Sequence, residues 1–269
     1  MNGIKAAFFD VGGVLLESAY WRKADRQLDL ALKESFPNLD FRKLHETWAE
    51  KWSRRNRAAS VEGFETMRNM AEKSLYESLV SLGCIPTKAR VRRALDAWYA
   101  AAERNAKAMP GAKRALKRLK SLGYRTGIIT NADWNVVIPH LRRAGLLGLI
   151  DYKIVSSRLR SYKPDQRLFK EALRVSKLRP EEVVFVGDSV EFDFEPAREV
   201  GMAPLLFKRG KNRGNAGFEE LLELLNAEGS GKRRRRARTA NGRPPHCIGN
   251  PSPLSSGNGI CGADAKCRV

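Results

Sequence analysis

The 269-residue sequence predicts a doubly wound parallel α/β sheet with an all-helical segment inserted after its first strand. Three observations carry that expectation. The apolar run Ile4-Lys5-Ala6-Ala7-Phe8-Phe9 stops at one carboxylate, Asp10, followed by Gly12-Gly13. Such a run reads as a buried strand that delivers Asp10 to a sheet edge, where open α/β sheets bind ligands. From Pro110-Gly111 onward helical and strand patterns alternate, the rhythm of a parallel sheet. Between the two, residues 19–107 contain no convincing strand, and four of the five tryptophans fall there at helical spacings.

In order, the insert reads as four amphipathic helices. The first spans 21–36 and ends at Pro37; Asp40, as an N-cap, opens the second through Trp48 and Trp52. A break at Ser60, Glu62 and Gly63 precedes the third, 64–82, with Gly83 as its stop. Thr87 caps the fourth, which runs through Leu95 and Trp98 to Lys107. After it come a cationic helix 112–122, a strand 124–130, and a helix 134–146 that Pro139 must kink or begin. A strand 152–155, a helix 165–178 and a strand 183–188 follow. A short helix 196–200, a strand 203–207 and a helix 218–225 complete the pattern, without internal repeats. The expected organisation is a core of 1–17 and 108–228, a helical insert of 18–107, and a tail of 229–269.

A hydrophobic content of 42% with 30% charged residues is ordinary for a soluble protein. No apolar run is long enough to span a bilayer, and residues 4–9 are too short for a signal-peptide core, so no membrane partner and a cytoplasmic location are expected. The net charge of +20 is unevenly placed. Nine cations against Asp264 give the tail +8 and leave the body +12. A moderately basic body suits an anionic substrate. Arg233, Arg234, Arg235 and Arg236 suit weak, sequence-independent contact with nucleic-acid phosphates, and the tail has no aromatic residue to stack on bases. Its Arg, Gly, Pro, Ser and Asn content predicts disorder. Gly229-Ser230-Gly231-Lys232 imitates a phosphate loop, but Arg233 stands where a hydroxyl is needed. Cys84, Cys247, Cys261 and Cys267 lack the paired spacing of a structural zinc site.

Chemistry concentrates at the predicted strand ends. Asp10 ends the first strand, Thr130-Asn131 the second and Asp188 the fourth, with Asp193 five residues on and Lys163-Pro164-Asp165 in a loop between. Parallel neighbouring strands would bring these side chains to one edge. Clustered carboxylates repel unless a cation sits among them, and hard oxygen ligands suit Mg²⁺. A hydroxyl, an amide and a lysine beside them make an anion pocket, so the set describes phosphoryl transfer to a carboxylate.

In order and local context, these segments resemble the signature motifs of the haloacid dehalogenase superfamily over about residues 4–210, with the insert placed like that family's type 1 cap on a Rossmann-like core. The resemblance implies that Asp10 is the nucleophile. It implies that Thr130, Asn131 and Lys163 bind and neutralise the transferred group, and that Asp10, Asp188, Asp193 and the Gly12 backbone carbonyl hold Mg²⁺. It therefore implies a Mg²⁺-dependent hydrolase acting on a small phosphorylated metabolite through an aspartyl phosphate.

One position departs from that pattern. Phosphatases of the superfamily carry an acid–base Asp two residues after the nucleophile, and here that residue is Gly12. General acid assistance is typically worth about 10²–10⁴-fold in rate. Three readings follow. A neighbour such as Glu17 or Asp133 supplies the proton, or the substrate, such as an acyl phosphate, has a good leaving group. Alternatively the reaction is dehalogenation, although the family's dehalogenases use no Mg²⁺ and carry an aromatic residue at the Gly12 position. Or the protein is catalytically weak and binds a ligand or nucleic acid. Arg54, Arg55 and Arg57 read as a solvated helix end rather than a substrate gate, and His45 and His140 as surface or packing residues. Glu191 and Glu195 beside Asp193 lack the glycine of a calcium loop.

Overall fold

The computed structural model describes residues 3–58, 63–207 and 217–225. Five parallel strands form one sheet: β1 (Ala6–Phe9), β2 (Arg125–Thr130), β3 (Tyr152–Val155), β4 (Val183–Gly187) and β5 (Ala203–Leu206). Their spatial order is β3-β2-β1-β4-β5, so the chain reverses direction across the sheet between β1 and β4. That is the doubly wound order the alternating pattern predicts, and the crevice at such a switch point is where these sheets bind ligands.

Period-two alternation divides the core. Ala7 and Phe9 join Ile128, Val184 and Val186 on one face, with Leu116 and Leu119 of α5 (Ala112–Ser121) and Phe218, Leu221 and Leu225 from residues 217–225. Ala6 and Phe8 point the other way, to Ile129, Ile154 and Phe185, and to Leu168, Phe169 and Ala172 of α8 (Gln166–Ser176). Both faces are covered, which is why β1 and β4 read as continuous apolar runs.

The insert consists of α1 (Tyr20–Lys33), α2 (Phe41–Ala58), α3 (Met67–Ser81) and α4 (Lys88–Asn105). It has an apolar centre of its own, built on Leu28, Leu32, Leu44, Trp48, Leu75, Leu79, Val91 and Leu95. The chain leaves and re-enters the sheet side by side: Glu17 N donates to Lys107 O at 3.0 Å and Met109 N to Leu15 O at 2.8 Å. Asp40 and Thr87 cap α2 and α4 as expected, accepting from Lys43 N and Arg90 N. The third helix begins at Met67, not at 64, because Thr66 caps it and the preceding segment is held open. Phe64 stacks on Tyr162 at 5.1 Å, and the Tyr162 hydroxyl donates to Glu65 O.

Of the two readings of Pro139, the one that starts the helix is excluded: α6 runs Trp134–Arg143 with the proline inside, among the buried Val137, His140 and Leu141, and ends before the expected 146. After β4 the chain makes a π-helical turn, Val190–Phe194, before α9 (Glu195–Glu199), and α7 (Ser156–Leu159) was not foreseen. The Arg-rich tail, its three cysteines and the phosphate-loop imitation lie outside the described residues. Among the described residues no helix is long and apolar enough to cross a membrane.

Candidate active site

The sheet register assembles the site. Phe9 pairs with Ile128 of β2 and with Val186 of β4, so Asp10 emerges beside Thr130 on one side and Asp188 on the other. Asp10 N donates to Val186 O at 2.9 Å, which fixes the backbone at that edge.

Lys163 enters from the loop before α8. Its ammonium is buried and donates to Asp10 Oδ1 at 2.8 Å and to Asp193 Oδ1 at 2.5 Å. Burial pulls this ammonium down, but the Asp10 and Asp193 carboxylates outweigh it and hold the group above its ordinary pKa. It stays charged at neutral pH. Burial pushes the Asp193 carboxyl up, against the pull of Lys163. The other Asp193 oxygen, Oδ2, accepts from Ser189 N at 3.1 Å. That bond comes from the π-helical turn, which swings Asp193 back toward the end of β4. Gly187 makes the return feasible: a β-carbon there would overlap the Asp193 carboxylate.

Carboxylate oxygens of Asp10, Asp188 and Asp193 lie within 4.8 Å of one another. Three hard oxygen donors at that separation are a donor set for a small divalent cation, and one that Cys- or His-seeking metals would not favour. The residues present fit Mg²⁺.

Asn131 is tied to the Lys163 backbone at both ends of its amide. Its Nδ2 donates to Lys163 O at 3.1 Å and its Oδ1 accepts from Lys163 N at 2.7 Å. The amide thus holds the Lys163 loop in place. Thr130 is buried at the end of β2 and lines a cavity of about 340 Å³ together with Asn131 and Gly12. Gly12 has no atom within 4 Å of where a β-carbon would stand.

The two stand-in proton donors, Asp133 and Glu17, stand in different surroundings. Both oxygens of Asp133 are bonded, Oδ1 to Met67 N at 3.1 Å and Oδ2 to Arg68 N at 2.7 Å. Asp133 therefore receives the first turn of α3, joining insert to core. Burial raises its carboxyl against those two hydrogen bonds. Glu17 is not among the residues lining the cavity. Arg54, Arg55 and Arg57 are engaged by Glu50, Glu77 and the Ser53 hydroxyl, as a solvated helix end would be. His140 is buried, its Nδ1 3.2 Å from the Tyr20 hydroxyl, and packs edge-on to Trp21.

Sequence reasoning missed the contribution of the insert. Trp21, Trp52, Trp98 and Tyr99 line the cavity as well as packing. Helical spacing marked the tryptophans as core, and spacing alone does not separate a core stripe from a cavity wall. Ser189 was also missed, although a Ser four residues before an Asp at a strand exit is a signal of a capped turn.

A family model described as haloacid dehalogenase-like hydrolase matches residues 4–201. The chain belongs to that family. Glyceraldehyde 3-phosphate phosphatase of Methanothermobacter thermautotrophicus is 30% identical over 212 residues, 76% of this chain and 85% of that protein. The enzyme of the same name from Pyrococcus furiosus is 37% identical over 103 residues, 38% of this chain, and the match spans only 43% of its length. Among solved structures, L-2-haloacid dehalogenase of Xanthobacter autotrophicus with chloropropionic acid covalently bound superposes with a TM-score of 0.59. That match is 21% identical and covers 78% of this chain and 80% of the other. At that identity the likeness is one of fold.

Proposed function

We propose that the chain is a Mg²⁺-dependent phosphatase acting on a small phosphorylated compound, with Asp10 as nucleophile. The observation that carries this reading is the buried Asp10–Lys163–Asp193 arrangement beside Asp188 at the switch point of the sheet. Asp10, Asp188, Asp193 and the Gly12 backbone carbonyl would hold the metal, which when bound supplies charge neutralisation for the phosphoryl oxygens. Family relatives named as phosphatases point the same way.

In this scheme Lys163 orients the Asp10 carboxylate and neutralises the incoming phosphate. The Thr130 hydroxyl donates to a phosphoryl oxygen, and Asn131 keeps Lys163 in register. Asp10 attacks phosphorus, the leaving oxygen departs with its electron pair, and water then cleaves the aspartyl phosphate to release phosphate and restore the carboxylate. The insert 18–107 serves as a type 1 cap over the sheet edge, and the absent acid–base Asp is the family position filled by Gly12.

The test is phosphate release from acetyl phosphate and from glyceraldehyde 3-phosphate, with Mg²⁺ and with EDTA. Release that needs Mg²⁺ and falls on the order of 10⁴-fold or more in Asp10→Asn is expected. Release that survives the substitution would remove Asp10 from the mechanism.

A further inference from the structure

The cavity beside Asp10 narrows the substrate class. Gly12, Thr130 and Asn131 line one part of it; Trp21, Trp52, Trp98, Tyr99 and Met67 of the insert, with Val136 of α6, line much of the rest. Its volume of about 340 Å³ is at the low end of small-molecule sites. Trp21 and Trp98 stack with centroids 4.5 Å apart, and Tyr99 stands edge-on to both, so the wall is a fixed aromatic surface.

Charge is the second observation. Among the described residues, no Lys or Arg lines the cavity. Arg68 lies over the Tyr99 ring, outside that lining, and pairs with Asp96. His140 is neutral at pH 7, because burial holds its pKa down to about 4. Both Asp133 oxygens are bonded to backbone N–H groups of α3. A second phosphate or carboxylate on the substrate would meet no counter-charge among these residues, and a chain of hydroxyls would lose water against the indole rings, with few partners beyond Tyr20, Tyr99, Thr130 and Asn131.

Gly12 supplies the third. With no side chain at this position, the leaving oxygen receives no proton from it. An alkoxide needs that proton; a phenoxide, whose conjugate acid has a pKa of about 10 like tyrosine, needs it far less.

We propose that the substrate is the phosphomonoester of a phenol, its ring lodged among Trp21, Trp52 and Trp98 and its phosphate at Asp10. The proposal rests on the phosphatase reading above. Asp10 forms the new P–O bond and the bond from phosphorus to the aryl oxygen breaks. The electron pair leaves on the phenoxide, which takes its proton from solvent. Water then hydrolyses the aspartyl phosphate.

The experiment measures kcat and KM of the full chain with Mg²⁺ on four probes: 1-naphthyl phosphate, 1-naphthylmethyl phosphate, glycerol 3-phosphate and acetyl phosphate. The first two share a ring and differ in leaving group. Expected are similar KM values for these two, about 10-fold below that of glycerol 3-phosphate, and a kcat about 10²-fold higher for the phenol ester. Trp52→Ala raises KM for both naphthyl probes by about 10-fold, and Trp52→Phe recovers most of it. If Trp52→Ala fails to fold, the wild-type KM comparison decides alone. Equal kcat on the two naphthyl probes overturns the proposal, as does a KM for glycerol 3-phosphate at or below theirs. Asp10-dependent release from acetyl phosphate with none from 1-naphthyl phosphate overturns the phenol assignment and leaves the phosphatase reading standing. Release from none of the four probes overturns both.

Discussion

At the sheet edge, Asp10 and Thr130 stand at the ends of strands whose register pairs Phe9 with Ile128 and Val186, and Asp193 stands on the turn after β4. Across the cavity, Trp52, Trp98 and Met67 hang from helices that pack around a separate apolar centre. The first wall is charged, buried and tied by short hydrogen bonds; the second is aromatic and is joined to the core through Tyr20, Ala24, Ala101 and Ala102, which share the sheet's apolar cluster, and through Asp133. The comparison assigns chemistry to the sheet and selection to the insert. It also predicts that substitutions on the two sides fail differently: on the sheet side in turnover, on the insert side in KM.

The sharpest way to break that division is Gly12→Asp, since Gly12 lies on the sheet side but lines the shared cavity. The position is open, with no atom within 4 Å of a β-carbon, so the first atom of a side chain is accommodated there. Restoring a general acid should raise kcat on an alcohol ester such as 1-naphthylmethyl phosphate by about 10²-fold, with KM little changed. The phenol ester should gain less than about 10-fold. A steady-state comparison of the two esters reads the difference. No gain on the alcohol ester would mean that leaving-group protonation does not limit the proposed turnover, and Gly12 would lose its explanatory role.

Gly187→Ala probes the sheet side by itself. A methyl group at this position would overlap the Asp193 Cβ and carboxylate, and the backbone of β4 is buried. Either the strand or the π-helical turn must shift, so the protein should lose about 3 kcal/mol of stability and Asp193 its 2.5 Å contact with Lys163. Chemical denaturation together with phosphate-release kinetics checks both. Unchanged stability would show the turn to be softer than the packing implies. The KM for 1-naphthyl phosphate should stay near wild type, because the indole wall is untouched.

The same contrast decides what could be read from the chain alone. Asp10, Lys163, Asp188 and Asp193 were legible because each sits at a strand exit or loop, and a parallel sheet brings strand exits together whatever its details. Asp40 and Thr87 were legible as caps because capping is a local event. The π-helical turn was not, since it carries Asp193 to Lys163, a contact between residues 30 apart. The hold of the Asn131 amide on Lys163 was not legible, because only the folded loop brings the two together. Asp133 as an acceptor for α3, and the tryptophans as a cavity wall, depend on how helices dock, and helical periodicity gives a face without naming what lies opposite it.

The join between sheet and insert provides the smallest predicted effect, and its sign follows from burial. His140 of α6 is enclosed by Tyr20 and Trp21 of the insert, and its pKa is held down to about 4 against an ordinary 6.5. Between those values the unfolded chain takes up a proton that the folded chain refuses, so stability rises with pH across this window and is lost as pH falls from about 6.5 toward 4. The loss approaches about 2–3 kcal/mol at the acid end. In His140→Leu that slope should flatten, with a pH-independent penalty for leaving the Tyr20 hydroxyl without its partner. Denaturant midpoints from pH 7 to pH 4 measure the difference between the two proteins, in which the titration of carboxylates common to both cancels. Parallel curves would mean that His140 takes up its proton within the fold, and that the seam between α1 and α6 opens to water in acid while the sheet edge stays closed.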